Sequence, residues 1–411
     1  MKCRSGNPIP LLTSPLKGEA IIGSCLIQGE PQTGENRRAP FGEMNHPTSS
    51  SGEFDTERLY AFPPLQGEGK GGGGGGVNNC SRRIHKTFST FIVIFLAIVS
   101  FLCFLPATLV AAELRTMTFL PQWLPQAQFA GYYVAYEKGF YRNHGIDLKI
   151  LKGGPDFPAA EMLGKGRTDF TTMFLSEAIQ QRDKRIRLVN IGQLMQRSGF
   201  ILVAKKGSGI SKPLDLQNKK VSMWPNFQIQ PRAFFRKYGI EVKPVVQGAT
   251  VNLFLRGGVD AASAMWYNEY HTIINAGINE DELTTFFFDR YGLNFPEDGI
   301  YVRKETYERE RELCCKFVQA SLAGWRYAFE NPDEATDIVM KYINESHAGG
   351  NRVHQRWMLA RIKDLMQPTD SKIPFGALNP KDYDTVAGEL NKGGLIRTIL
   401  PFGEFYAPCL E

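Results

Sequence analysis

The chain has 411 residues, 43% hydrophobic and 22% charged, with a formal net charge of +6. That length allows two or three domains and a large buried core, and the composition is that of an ordinary soluble protein once one short apolar segment is set aside. The charge is too small and too evenly spread for a nucleic-acid groove, and no long like-charge run appears.

The front of the chain stands apart. Residues 1–81 are rich in Pro, Gly, Ser and Asn and close on six glycines, Gly71 to Gly76. Such a stretch cannot bury enough surface to offset its ordering entropy. Arg82, Arg83 and Lys86 then precede an apolar run from Phe88 to Val110, broken by Pro106 and closed by Ala111 and Ala112. A basic front, an apolar middle and small residues at the end make a secretory signal peptide over 82–112, with cleavage expected after Ala112. A signal so deep in the chain implies that translation begins near Val77. The competing reading is a membrane anchor, because the run approaches the roughly 20 residues a span needs. Bulky Leu102 before Cys103 argues against lipoprotein processing.

From Glu113 onward short apolar runs alternate with helical stretches. Strands are predicted at 114–120, 146–151, 168–172 and 186–191, with helices at 128–143 and 159–165 between them. Glu137-Lys138-Gly139 reads as a solvated helix end capped by the glycine. A second series begins near Lys219, with strands at 219–223, 242–246 and 260–265 and helices at 228–238, 251–256 and 267–276. Phe286 to Phe288 reads as an edge strand. The alternation predicts an α/β chain of two lobes, 113–203 plus 300–411 and 204–299, each a mostly parallel sheet flanked by helices. Phe200–Lys205 and Gly299–Arg303 are the expected crossings. Helices at 308–329, 332–343 and 352–366 would return to the first lobe. Two such lobes facing across a hinge form a cleft at the carboxyl ends of their strands, able to close on a small molecule.

Seven cysteines are present, of which Cys314, Cys315 and Cys409 lie in the part expected to fold. Their spacing suits neither a metal site nor a disulfide framework, although a bridge from Cys409 to one of the adjacent pair stays open. His271, His347 and His354 have no spacing that suggests a metal or catalysis.

One stretch carries a family likeness. Trp123-Leu-Pro-Gln-Ala-Gln-Phe-Ala-Gly-Tyr-Tyr-Val-Ala-Tyr-Glu-Lys-Gly-Phe-Tyr141, followed by Gly145-Ile-Asp-Leu-Lys149, resembles the thiamine-pyrimidine group of type II periplasmic substrate-binding proteins of ABC transporters. Lys165-Gly-Arg-Thr-Asp169 and Gly257-Gly-Val-Asp-Ala261 match that group's paired loops, and the likeness spans most of 114–345. It implies a two-lobed periplasmic-binding-protein fold and a role outside the cytoplasm. The protein would bind a small heteroaromatic such as formylaminopyrimidine and deliver it to an ABC permease and its ATPase, as a monomer without a cofactor. Relatives also bind riboflavin, sulfonates or nitrate, and others are pyrimidine synthases. The synthases' cofactor lysine and donating histidine fall at Met173 and Glu177 here, and their cysteine-rich motif near Asn294–Gly299, so synthase chemistry is not expected.

Site residues follow from the same comparison. Trp123, after the first strand, matches the group's stacking tryptophan, with a core tryptophan as the plain alternative. Gln126 and Gln128 would supply amide hydrogen bonds or simply open the next helix. Of adjacent Tyr132 and Tyr133, one can face the cleft. Glu177 would accept from a ligand N–H. In the second lobe Trp224 and Asn226 stand on the equivalent loop, whose Trp224-Pro225-Asn226-Phe227-Gln228 lacks the glycines of a phosphate cradle; this implies an unphosphorylated ligand. Trp266, Tyr267, Asn268 and Glu269 end a strand. Asn268 keeps the family offset, and Glu269 comes one position early.

Overall fold

The computed structural model describes residues 114–409 and, ahead of them, Phe95. Apart from Phe95, the expected signal peptide, its cleavage site and the low-complexity front therefore fall outside the described residues. Among the described residues no helix is long and apolar enough to cross a membrane.

Two five-stranded sheets of identical pattern organise the described residues. The first contains β1 (Arg115–Leu120), β2 (Ile146–Ile150), β3 (Phe170–Met173), β4 (Leu188–Gln193) and β10 (Gly299–Arg303), in the order β2-β1-β3-β10-β4. The second contains β5 (Phe200–Lys205), β6 (Lys220–Met223), β7 (Lys243–Val246), β8 (Ala261–Met265) and β9 (Leu283–Phe287), in the order β7-β6-β8-β5-β9. Every residue of β4 and β8 is buried, as expected of strands covered by helices on both faces. This is the two-lobed α/β architecture that the alternation predicts.

The difference lies in the two segments expected to cross between lobes. β5 and β10 are not connectors but interior strands, one in each sheet, and both run antiparallel to their neighbours. The reason is geometric. The chain leaves β4 at the carboxyl end of the first sheet, so it enters the second sheet from the facing end and runs against its parallel strands. β10 enters the first sheet in the same way after β9. The crossings themselves are residues 194–199 and 293–298.

Local signals set most other boundaries. The helix predicted over 128–143 is divided, Ala130–Glu137 and Phe140–Asn143, because Gly139 takes a left-handed φ of 72°. The long helix Arg311–Glu330 packs on Ala130–Glu137 so closely that a Cβ at Gly324 would run into the carbonyl of Gly131. Helix Arg352–Met366, capped by the Asn351 side chain on the His354 amide, coincides with the predicted span. Two further helices, Pro380–Lys392 and Phe402–Phe405, close the chain. Cys315 is bonded to Cys409 across 94 residues, while Cys314 is buried and free.

Candidate functional site

Because both crossing segments run along the cleft base, residues just before β5 and β10 must face the carboxyl ends of the parallel strands. Ser198 and Gly199 lead into β5, and Glu297 and Asp298 lead into β10. Both carboxylates are fully enclosed, at 0% and 1% exposure, and neither has a cationic partner among the described ion pairs. Glu297 accepts from Ser198 Oγ at 2.7 Å and from the Gly199 amide at 3.1 Å, pinning one crossing to the other. Asp298 holds a left-handed φ of 52°, tolerable for a short polar side chain, and accepts from Gln128 Nε2 at 2.8 Å and from the Gln122 amide. Gln126 Nε2 in turn donates to Gln128 Oε1 at 2.5 Å. Gln126 and Gln128 thus form a relay from the loop after β1 to the cleft floor, and Gln122 reaches Asp298 directly.

Burial dominates the electrostatics of this floor. Desolvation pushes the Asp298 carboxyl up to about 7, against the pull of the two glutamine amides. It pushes Glu297 up to about 8, with the neighbouring Asp298 charge adding to the rise. Beside them, Gly299 has no room for a side chain: a Cβ would meet Asn190 Nδ2, Gln193 Oε1 and Tyr301 Oη at 2.6–2.7 Å.

The predicted residues separate into groups. Trp123 is 39% exposed on the loop after β1 and makes no ring–ring contact among the described residues. Trp224, on the corresponding loop after β6, is half-buried. Its indole N–H donates to the Gly248 carbonyl at 3.1 Å, and its ring packs 5.4 Å from Phe200. Asn226 is exposed within the one-turn Pro225–Phe227 helix. Glu177, in the first turn of helix Leu175–Asp183, is half-buried, and burial raises its carboxyl.

The predicted tyrosines are enclosed. The Tyr132 ring packs in the first-lobe core, 4.4 Å from Phe119 and edge-on to Trp325, while its buried hydroxyl has no partner among the described residues and feels the Asp298 charge. Tyr133 is also buried, stacked 4.1 Å from Tyr342. Tyr267 is 2% exposed and belongs to the core as well.

Trp266, Asn268 and Glu269 instead meet the first lobe. Glu269 accepts from the Met265 amide and from Asn268 Nδ2, both at 2.9 Å, so its carboxylate is spent within its own turn. Asn268 Oδ1 lies 2.9 Å from His354 Nε2, and Trp266 sits under the Arg361 guanidinium at 4.9 Å. His354 and Arg361 both belong to helix Arg352–Met366. At another edge of the cleft, Phe174 after β3 and Phe227 after β6 touch with ring centroids 4.9 Å apart. The lobes are therefore in contact at these two places, and again where Arg236 of the second lobe pairs with Glu389 of helix Pro380–Lys392.

Sequence reasoning missed Gln122, Glu297, Asp298, His271 and His354. The Glu-Asp pair before an apolar strand was a visible signal; the histidines offered none. Two surface cavities, about 420 Å³ beside Arg197 and Asp382 and about 310 Å³ beside Arg182 and Arg397, lie away from all ten predicted residues. In the larger, Arg197 already pairs with Asp370.

Comparison with known proteins agrees with the fold. The chain is 25% identical over 259 residues to a riboflavin-binding protein RibY of Chloroflexus aurantiacus, covering 59% of this chain and 71% of that one. It is 20% identical over 290 residues to a formylaminopyrimidine-binding protein of Halalkalibacterium halodurans, covering 68% and 85%. A 4-amino-5-hydroxymethyl-2-methylpyrimidine phosphate synthase of Legionella pneumophila is 29% identical over 240 residues, covering 54% and 72%. Among solved structures, the periplasmic aliphatic sulphonate binding protein SsuA of Escherichia coli superposes with a TM-score of 0.54 at 13% identity, covering 71% of this chain and 92% of that one. The family described as NMT1/THI5 like matches residues 126–335, and the chain belongs to it.

Proposed function

We propose that this protein captures a small, flat, unphosphorylated heteroaromatic solute between its lobes, outside the cytoplasm, and passes it unchanged to an ABC permease and its ATPase. The observation that carries this reading is the cleft floor. Glutamine amides and a buried carboxylate converge at the strand ends, and the exposed Trp123 stands on the same loop as those glutamines, so that the loop offers both hydrogen bonds for a ring's edge and a surface for its face. Pro225 on the loop after β6 removes an amide where a phosphate would need one. The named relatives that bind formylaminopyrimidine or riboflavin, both planar nitrogen heterocycles, support the ligand class. A Cys315–Cys409 bond fits an oxidising compartment and with it an extracytoplasmic role. Trp123, Gln126, Trp224 and Asn226 remain our candidates for contact with the solute, now joined by Gln122 and Asp298.

Isothermal titration with formylaminopyrimidine, hydroxymethylpyrimidine and riboflavin tests the proposal. Absence of heat with all three would remove it. A second reading, pyrimidine synthesis on the same fold, draws on the synthase relative, but the lysine position holds Met173, fully buried and without an amine. A yellow protein carrying pyridoxal phosphate on purification would favour that reading instead.

A further inference from the structure

His271 and His354 come from opposite lobes and meet with their Nδ1 atoms 2.8 Å apart. His271 lies in helix Glu269–Asn275, and its ring stacks 4.6 Å from Trp357, within 10° of parallel. His354 lies in the first turn of Arg352–Met366. That helix is tied to the first lobe, since the Ala127 amide donates to Gln355 Oε1 at 2.7 Å. It is tied to the first crossing too, where the Gln196 and Arg197 amides donate to the Leu365 carbonyl.

The hydrogen bonds fix which nitrogens carry protons. Asn268 Nδ2 donates to Glu269 Oε1, so the Asn268 oxygen faces His354 Nε2, which must bear the hydrogen. A neutral His354 then presents a lone pair at Nδ1, and His271 donates its Nδ1–H into it, which requires the Asn275 side-chain amide, 3.3 Å away, to turn its oxygen rather than Nδ2 toward that hydrogen. One proton fills the gap between the rings. A second, on His354 Nδ1, would set two N–H groups face to face at 2.8 Å and force the rings apart.

We propose that the His271–His354 pair is a proton-operated clasp: it positions Asn268 and holds the lobes together while both rings are neutral, and releases them, with any bound solute, when His354 is protonated. Only the release of solute rests on the cleft reading above. Burial, and then the charge of His271, push His354 down to about 4, and burial lowers His271. No carboxylate pairs with either ring among the described ion pairs. Glu269 is reached only through Asn268, and Arg361, over Trp266 and Trp357 at 4.9 Å each, adds positive charge on the same side. Arg352 and Arg356 turn away to Asp333 and Asp337 on the neighbouring helix, and the neutral Asn275 amide lies 3.3 Å from His271 Nδ1.

The direction follows from linkage. His354 titrates lower in the closed form than a free imidazole, so closure is at full strength above about pH 6.5 and weakens as pH falls toward 4. Between about pH 7.5 and pH 5 the closed-to-open ratio should fall about thirty-fold, the value for a change from about 6.5 to about 4.

Small-angle scattering of the full chain across that range, with titration of hydroxymethylpyrimidine at each pH, tests the clasp. The expected result is a radius of gyration that grows in acid, with affinity falling in parallel. His354→Gln, which can still donate to Asn268 but cannot titrate, should remove the acid-induced opening. His271→Phe, which keeps the stack on Trp357, should also remove it and decides the matter if His354→Gln fails to fold. Ring-nitrogen NMR should find the His354 hydrogen on Nε2. A wild-type profile flat with pH, either folded variant retaining the wild-type opening, or a hydrogen on Nδ1 would overturn the clasp. If no heteroaromatic binds yet the lobes still open in acid, the cleft reading fails and the clasp stands. If binding is firm but independent of pH, the clasp fails alone.

Discussion

Gln128 donates its amide to the carboxylate of Asp298 at 2.8 Å, although 170 residues separate them. The contact joins the loop after β1 to the segment that re-enters the first lobe, so the floor of the cleft and the hinge are one hydrogen-bonded unit. A side chain placed there answers both to a solute above it and to the stability of the fold.

The first prediction follows from that double role. The Asp298 and Glu297 carboxyls titrate at about 7 and about 8 in the folded protein, well above their ordinary values of 3.8 and 4.5. Their protonated forms therefore favour the fold. The stability they carry is full below about pH 4. Each carboxyl then loses about 1.4 kcal/mol of it for every pH step, until none is left near pH 7 to 8. Asp298→Asn should flatten this decline and match or exceed the wild type near pH 8, while weakening solute binding. Urea midpoints at pH 5 and pH 8 check it. An Asn variant that loses stability with rising pH as steeply as the wild type would refute the assignment.

The disulfide gives a second. Bridging Cys315 to Cys409 closes a long loop and pins the chain end beside helix Arg311–Glu330. Reduction, or Cys315→Ser, should cost about 2–4 kcal/mol of stability without changing ligand preference. Peptide mapping without reductant should recover the two cysteines joined, and recovery of both as free thiols would contradict the bond.

The two tryptophans should behave differently. Trp123 is exposed and touches no other ring among the described residues, so Trp123→Ala should alter stability by less than about 0.5 kcal/mol. Loss of a stacking surface worth about 1 kcal/mol should still lower affinity several-fold. Trp224 packs on Phe200 and donates to Gly248, so Trp224→Ala should reduce stability and affinity together. Thermal unfolding paired with calorimetric titration separates the cases. A Trp123→Ala protein that binds as tightly as the wild type would remove that residue from the site.

What the amino-acid order determined by itself is local. Apolar periodicity, glycine stops and caps are short-range interactions, which is why Arg352–Met366 falls where predicted and Gly139 ends a helix at its left-handed turn. The loops bearing Trp123 and Trp224 are legible for the same reason, since each follows a strand of recognisable pattern. What only the tertiary structure decided is which distant groups meet. Nothing in Phe200–Lys205 or Gly299–Arg303 distinguishes a connector from an interior antiparallel strand; the direction from which the chain enters each sheet settles that. The same crossings carry Glu297 and Asp298 into the cleft floor, bring His271 to His354 and leave Cys409 beside Cys315. Those pairings depend on the packing of whole elements, and no spacing along the chain encodes them.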